Sequence, residues 1–288
     1  MPPMNPVHTE TDVVYAATAG RELRCDLHWP VGDVGPLPVA IYLHGGGWAR
    51  GARSDRAEER LVPVAGAGIA VASIEYRLSG EALWPAQLDD VRAAIDAVPR
   101  LFAERGVAVS GRTTLWGCSA GGHVALMAAL TAAGNGDAGP DAGPGAAPGA
   151  APDAVVAWFP PTDLTLMTDA PASPGARMPA FLPPGAAVPP FERMLLGLGE
   201  GDDEDALTRL RGASPLSHVA PGVCPVLLIH GDEDALIPAS HSETLRDALL
   251  AAGSPVSMLL VRGATHEDPL FDAPAVLGAT AAHLKDSA

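Results

Sequence analysis

Short apolar runs alternate along the chain with segments of helical periodicity. "ELRCDLHW" (22–29) alternates apolar and polar positions, the pattern of a half-buried strand. "PVAIYLHGGGW" (38–48) is a buried run that ends in glycines, and "GIAVASIEYRL" (68–78) is a second continuous one. "TTLWGCS" (113–119), "DAVVAWFP" (153–160), "CPVLLIHGD" (224–232) and "VSMLLVRGATH" (256–266) follow. Continuous apolar runs suit strands covered on both faces. Strands separated by helices predict an α/β chain with a mostly parallel sheet and helices on both of its faces.

The helices carry their own signals. Trp84, Leu88, Val91, Ile95 and Val98 fall on one helical face. Pro85 suits the first turn of that helix, and Pro99 is expected to end or kink it. "GGHVALMAALTAAG" (121–134) reads as a helix closed at Gly134. Ser240 and Glu243 have capping-box spacing ahead of an apolar face made by Leu245, Ala248, Leu249 and Ala252, which Gly253 stops.

Two regions break this rhythm. Residues 134–153 are rich in Gly, Pro and Ala and are expected to form a flexible loop. Residues 160–215 are proline-rich and irregular, with only "FERMLLGLG" (191–199) and "DEDALTRLRG" (203–212) looking helical. They are expected to form a lid-like insertion over a site within one domain spanning 1–288. The acidic run 202–205 lacks the alternating ligands and turn glycine of a calcium loop and reads as a solvated helix start.

Chemistry concentrates where strands end. Gly117-Cys118-Ser119-Ala120-Gly121 matches G-x-S-x-G between an apolar strand and a helix, the context in which a serine sits on a strained elbow. A serine needs a base, and His266 follows the run 256–261 as Asp234 follows 224–229. The chain order Ser119, Asp234, His266 is that of a Ser-Asp-His triad on this kind of sheet. Asp232 and Glu233 are rivals for the acid. His44-Gly45-Gly46-Gly47-Trp48 follows a strand as an oxyanion loop would, with Gly46, Gly47 and the Ala120 N–H as expected donors. Trp48 is expected to wall the substrate pocket, and His44 to brace its loop by hydrogen bonding. Cys118 occupies the x position of the elbow, where a buried small side chain is expected. A Ser–Lys dyad fails because Gly122 stands where S-x-x-K needs lysine, and a zincin fails because "HEDPL" offers Leu270 in place of a second histidine.

These residues resemble the α/β-hydrolases with an HGGGW oxyanion motif, the group of hormone-sensitive-lipase-like and bacterial feruloyl-esterase-like carboxylesterases. The matching stretches are "HGGGW" (44–48), "YRLSGEALWPAQLDDV" (76–91), "GCSAGG" (117–122), "HGDEDALIP" (230–238) and "GATH" (263–266). "LWPAQLDD" departs from the "FPA" form frequent in the hormone-sensitive-lipase-like group and looks closer to the feruloyl-esterase-like branch. The resemblance aligns the acid three residues after Gly231, at Asp234. It implies hydrolysis of carboxylic esters through an acyl-enzyme, without cofactor or metal. The segment 160–215 is not a long apolar helix pair, so small to medium acyl or aromatic esters are expected rather than the substrates of an interfacial lipase. An arylformamidase or peptidase on the same scaffold is the nearer alternative. A non-catalytic hydrolase-like binding protein is the more distant one, and it would be expected to have lost a triad or oxyanion residue.

Charge and composition narrow the setting. A net charge of −16 disfavours nucleic-acid partners and docking on an anionic membrane. Cys25, Cys118 and Cys224 are scattered and suggest neither a disulfide framework nor a metal cluster. The first residues lack a secretory pattern and no apolar run approaches the ~20 residues of a membrane span, so a cytoplasmic location is expected.

Overall fold

The computed structural model describes residues 5–18, 20–32, 34–132, 150–167, 190–199 and 204–286. Its strands are β1 (Val7–Thr18), β2 (Arg21–Pro30), β3 (Leu37–Leu43), β4 (Ala70–Ile74), β5 (Val109–Cys118), β6 (Val155–Trp158), β7 (Val226–Gly231) and β8 (Val256–Val261). The helices are α1 (Val62–Gly66), α2 (Ala86–Glu104), α3 (Ala120–Leu130), α4 (Phe191–Leu196), α5 (Glu204–Gly212), α6 (Ser240–Ala251) and α7 (Pro274–Asp286). The strands form one sheet in the order β1-β2-β4-β3-β5-β6-β7-β8. Every pair from β4 to β8 is parallel, whereas β2 runs antiparallel to both β4 and β1.

Two apolar layers enclose the sheet. On one face Leu43 and Leu115 pack with Val91, Val98 and Phe102 of α2, Val124 and Leu126 of α3, and Leu245 and Leu249 of α6. On the other, Tyr42, Trp116 and Trp158 pack with Val64 of α1 and with Leu277 and Leu284 of α7. Strand residues alternate between these layers, which is why the central strands are apolar at most positions, with Ser73, Thr114 and His230 as buried polar exceptions.

Four local expectations are corrected. Pro99 lies inside α2, which continues to Glu104. It removes one backbone hydrogen bond, but Phe102 beyond it is fully buried on the same apolar face, and that burial favours continuation. The Ser240 capping box is not made: Ala239 is already helical, so Ser240 stands within the first turn and no side chain caps it. The run at β8 is not covered on both faces; it is an edge strand paired only with β7, and Leu259 and Leu260 are 37% and 45% exposed. The helix after the elbow ends at Leu130, ahead of Gly134, which lies outside the described residues. β1 was not anticipated, since its polar, irregular pattern carries no clear alternation, and its pairing with β2 has two register shifts.

Of the loop at 134–153 only 150–153 are described, and of the insertion at 160–215 residues 168–189 and 200–203 lie outside the described residues. Its two helical stretches form α4 and α5, and α5 begins at Glu204 in the acidic run. No helix among the described residues is long and apolar enough to cross a membrane.

Buried imidazoles make stability depend on pH. Burial pushes both His123 and His241 down from 6.5 to about 4. Between those values the unfolded chain binds protons that the folded chain refuses. The stabilisation is therefore complete above pH 6.5 and is lost as pH falls toward 4, by up to about 3 kcal/mol per group. Urea midpoints are expected to fall steadily from pH 6.5 to 4.5; a flat midpoint across that interval would contradict the assignment.

Candidate active site

Because β3, β5, β7 and β8 run in parallel, their C-terminal ends open onto one rim. Ser119 follows β5 and precedes α3, with φ 50° and ψ −120°, a backbone state that few residues with a Cβ adopt. Its neighbours explain how the turn is tolerated. A Cβ at Gly117 would lie 2.4 Å from the Gly121 backbone, and one at Gly121 would lie 2.1 Å from the Leu43 carbonyl oxygen. The glycines of G-x-S-x-G are therefore demanded by contact between the strand end, the first helical turn and β3.

The partners arrive from loops distant in sequence. His266 Nε2 lies 2.9 Å from Ser119 Oγ, and His266 Nδ1 lies 2.7 Å from Asp234 Oδ2. Asp234 Oδ1 accepts the N–H groups of Leu236 and Ile237 at 3.0 and 2.9 Å. Burial alone would raise this carboxyl's pKa; the charge of His266 and hydrogen bonds from His230 and His266 overcome it and hold the carboxylate well below its usual range. With Asp234 ionised, Nδ1 carries the proton and Nε2 is left free to accept from the serine.

The rivals have other work. Asp232 accepts the Gly263 N–H at 2.7 Å, and Glu233 donates its own N–H to the Ala264 carbonyl at 3.1 Å. Both bonds clamp the acid loop to the histidine loop. A Cβ at Gly231 would lie 2.2 Å from the Ala264 oxygen, so glycine permits that approach. The ring of Phe159 meets His266 edge-on at 4.8 Å.

The glycine loop packs directly on the elbow. A Cβ at Gly45 would be 3.3 Å from the Cys118 carbonyl oxygen and 3.4 Å from Ser119 Cβ. Gly46 and Gly47 have φ of 118° and 62°, and the Gly46 carbonyl accepts from the N–H groups of Ala49 and Arg50. Among the described residues no acceptor takes the N–H of Gly46, Gly47 or Ala120. His44 stacks on Tyr76 at 4.5 Å, and its Nδ1 donates to the Gly45 carbonyl at 2.8 Å. From the insertion, Phe191 approaches so closely that a Cβ at Gly47 would fall 2.6 Å from its ring.

Trp48 is a correction. It is 1% exposed and its indole N–H is committed to His123, so it belongs to the core beneath the loop and offers no open wall to a ligand. Cys118 points into the layer opposite α3, with Sγ 3.2 Å from the Tyr42 hydroxyl and 3.6 Å from Arg60 Nη1. Burial pushes its thiol up to about 11 despite the pull of Arg60, which keeps it protonated at neutral pH. Arg77 pairs with Asp90 through two nitrogens, Nε and Nη2, bracing the segment before α2, while Asp89 faces Arg92.

His230 and His123 received no role from sequence alone. His230 Nε2 stands 3.4 Å from Asp234 Oδ2 and 2.8 Å from the Ile237 carbonyl, and its Nδ1 is 2.7 Å from Ser242 Oγ. Each is a single imidazole within an otherwise apolar run, "PVLLIHG" or "GGHVALMA", and that isolation is the signal that could have flagged them.

The BD-FAE family model matches residues 25–249. The chain is 31% identical over 238 residues to the esterase LipC of Mycobacterium tuberculosis, an alignment covering 82% of this chain and 54% of LipC. It spans about half the length of the curated mycobacterial esterases it matches. A solved structure of a truncated carbohydrate esterase from gut microbiota superposes with a TM-score of 0.78 at 26% identity, covering 96% of this chain and 95% of that one. An esterase of Pyrobaculum calidifontis shares the fold, with a TM-score of 0.70 at 22% identity over 98% of this chain and 85% of that one.

The elbow contacts predict a graded response to added methyl groups. Gly121→Ala is expected to cost about 1–3 kcal/mol in urea denaturation, because its Cβ meets backbone that cannot move aside. Gly80→Ala meets nothing within 4 Å and is expected to stay within about 0.5 kcal/mol of the parent. Equal stability of the two variants would contradict the close approach.

Proposed function

The chain belongs to the BD-FAE family of α/β-hydrolases, and from that premise we propose that it is a serine carboxylesterase acting on small to medium acyl or aromatic esters. The observation that carries the reading is the placement of His266 between Ser119 Oγ and Asp234 Oδ2, at 2.9 and 2.7 Å. It is supported by the elbow geometry of Ser119 and by relatives named as esterases.

In this reading Ser119 Oγ attacks the ester carbonyl while His266 Nε2 takes its proton. The carbonyl oxygen becomes an oxyanion and is received by the N–H groups of Gly46, Gly47 and Ala120. As the tetrahedral intermediate collapses, the C–O bond to the alcohol breaks and His266 returns the proton to the departing oxygen. Water, deprotonated by the same imidazole, then attacks the acyl carbon; the bond from that carbon to Ser119 Oγ breaks, His266 returns the proton to Oγ, and the acid is released. Asp234 holds the imidazole's tautomer and stabilises the imidazolium; it stays ionised throughout. The reading requires no cofactor, metal or nucleic-acid partner. It takes the chain as one domain in which the connection from β6 to β7 lies over the site, with Phe191 packed against Gly47 of the glycine loop.

Hydrolysis of p-nitrophenyl acetate and butyrate tests the proposal. Wild type is expected to be active, Ser119→Ala to lose nearly all activity, and Asp234→Asn to lose about 10³–10⁴-fold in kcat. Cys118→Ala is expected to keep most of it, since its thiol faces the opposite layer. An inactive, folded wild type or an undiminished Ser119→Ala would overturn the esterase reading. A matched panel of formamides and peptides hydrolysed faster than every ester would replace it with arylformamidase or peptidase.

A further inference from the structure

We propose that His123 is a positioning residue for the oxyanion loop, holding Trp48 in register with the nucleophile and tying both to the connection that covers the site. The inference rests on the esterase reading for its kinetic consequence, although the linkage itself is geometric.

His123 is fully buried in α3, a helix whose other residues are all apolar or glycine and all buried. A buried imidazole is costly unless both nitrogens are paired, and here both are. Nδ1 lies 3.2 Å from Trp48 Nε1, and Nε2 lies 2.7 Å from the carbonyl oxygen of Ala213. An indole N–H can only donate and a carbonyl can only accept. One species satisfies both partners: neutral imidazole with the proton on Nε2. An imidazolium would turn an N–H against the indole N–H.

The loop being held needs an anchor. Gly46, Gly47 and Trp48 are consecutive residues with positive φ, and Trp48, at 57°, is a large side chain in a state that disfavours a Cβ. Tertiary contacts must supply what backbone preference does not. The Trp48 carbonyl accepts from the Ser79 N–H at 2.7 Å, its indole donates to His123, and its ring meets the imidazole edge-on at 5.0 Å. Trp84 packs on the same imidazole at 5.3 Å, and its backbone N–H donates to the Leu195 carbonyl in α4 at 3.0 Å.

The placement of His123 gives this anchor its meaning. Its N–H bonds to the Ser119 carbonyl at 3.0 Å, so nucleophile and anchor lie one turn apart on one helix. Helical geometry therefore sets the distance between Ser119 and the point that holds Trp48, and with it the glycines immediately before Trp48. Ala213 directly follows α5, so the imidazole also reads the position of the covering connection.

Three variants separate the two bonds. Trp48→Phe removes only the indole donor. His123→Gln reaches the Nε2 position and keeps Ala213 but loses Trp48, whereas His123→Asn places an acceptor near Nδ1 and keeps Trp48. Trp48→Phe and His123→Gln are expected to lower kcat by about tenfold to 100-fold with KM nearly unchanged, as for a displaced oxyanion donor. His123→Asn is expected to recover part of the kcat lost in His123→Gln. A purely structural role predicts lower melting temperatures with kcat intact well below melting, and that result would overturn the proposal.

Nitrogen-15 NMR of histidine-labelled full chain gives a readout independent of turnover and of how the variants fold. The wild type must show His123 in the Nε2–H tautomer at neutral pH; an Nδ1–H tautomer or an imidazolium would overturn the linkage. An inactive wild type with the expected tautomer fails the esterase reading while supporting the linkage. An active wild type with kinetically silent variants overturns the positioning role alone and leaves the esterase reading standing.

Discussion

Everything at the rim depends on one backbone turn, the reversal at Ser119 between β5 and α3. A residue at φ 50° and ψ −120° persists only where its surroundings leave no alternative. Gly117 and Gly121 allow strand, helix and the end of β3 to close on that turn at distances a Cβ would block. The Ser119 N–H is tied to the Trp158 carbonyl at 2.8 Å, which continues the β5–β6 ladder into the turn. The side chain is thus lifted from a rigid junction where both flanking elements are deeply buried, and the glycine loop and the histidine loop assemble against it.

Burial then dictates how the polar groups around the turn are paired. Burial raises the pKa of Asp234, but the charge of His266 and the hydrogen bonds from His230 and His266 more than offset it, while two backbone N–H groups fix the other carboxylate oxygen. The same logic applies on the opposite layer, where the buried Arg60 bonds to Asp272, to the Tyr42 hydroxyl and to Cys118. Asp272 lies downstream of His266, so this pairing ties the histidine loop to the layer beneath the elbow. The polar groups of this interior are connected in sets that join loops, and their positions are correspondingly specific.

Much of this was legible before any coordinates. The alternation of apolar runs and helical faces gave seven of the strands and α2, α3 and α6; for the inner parallel strands the reason is that burial on two faces leaves a nearly continuous apolar run. Where burial was partial the reading faltered: β1 is half exposed and bulged, and β8 is an edge, so the same letters meant something different. Pro99 does not end α2, because its intrinsic penalty is outweighed by the burial of Phe102 in the next turn. Ser240 misled because Ala239 had already entered the helix.

At the site, the chain order of Ser119, Asp234 and His266 and the glycines around them were readable as residue types set at the ends of strands. That is what sequence determines by itself: a strand's C-terminal end is marked locally, by an apolar run giving way to glycine and polar residues. Sequence could not choose geometrically among Asp232, Glu233 and Asp234, since neighbours in a turn point in different directions and only the turn's shape selects the one facing His266. Nor could it tell that Trp48 belongs to the core, or that His123 joins it to Ala213 across 90 residues of chain. Those choices were left to the tertiary structure, because the partners of a buried polar group are set by proximity in space and leave no mark in the spacing of its neighbours along the chain.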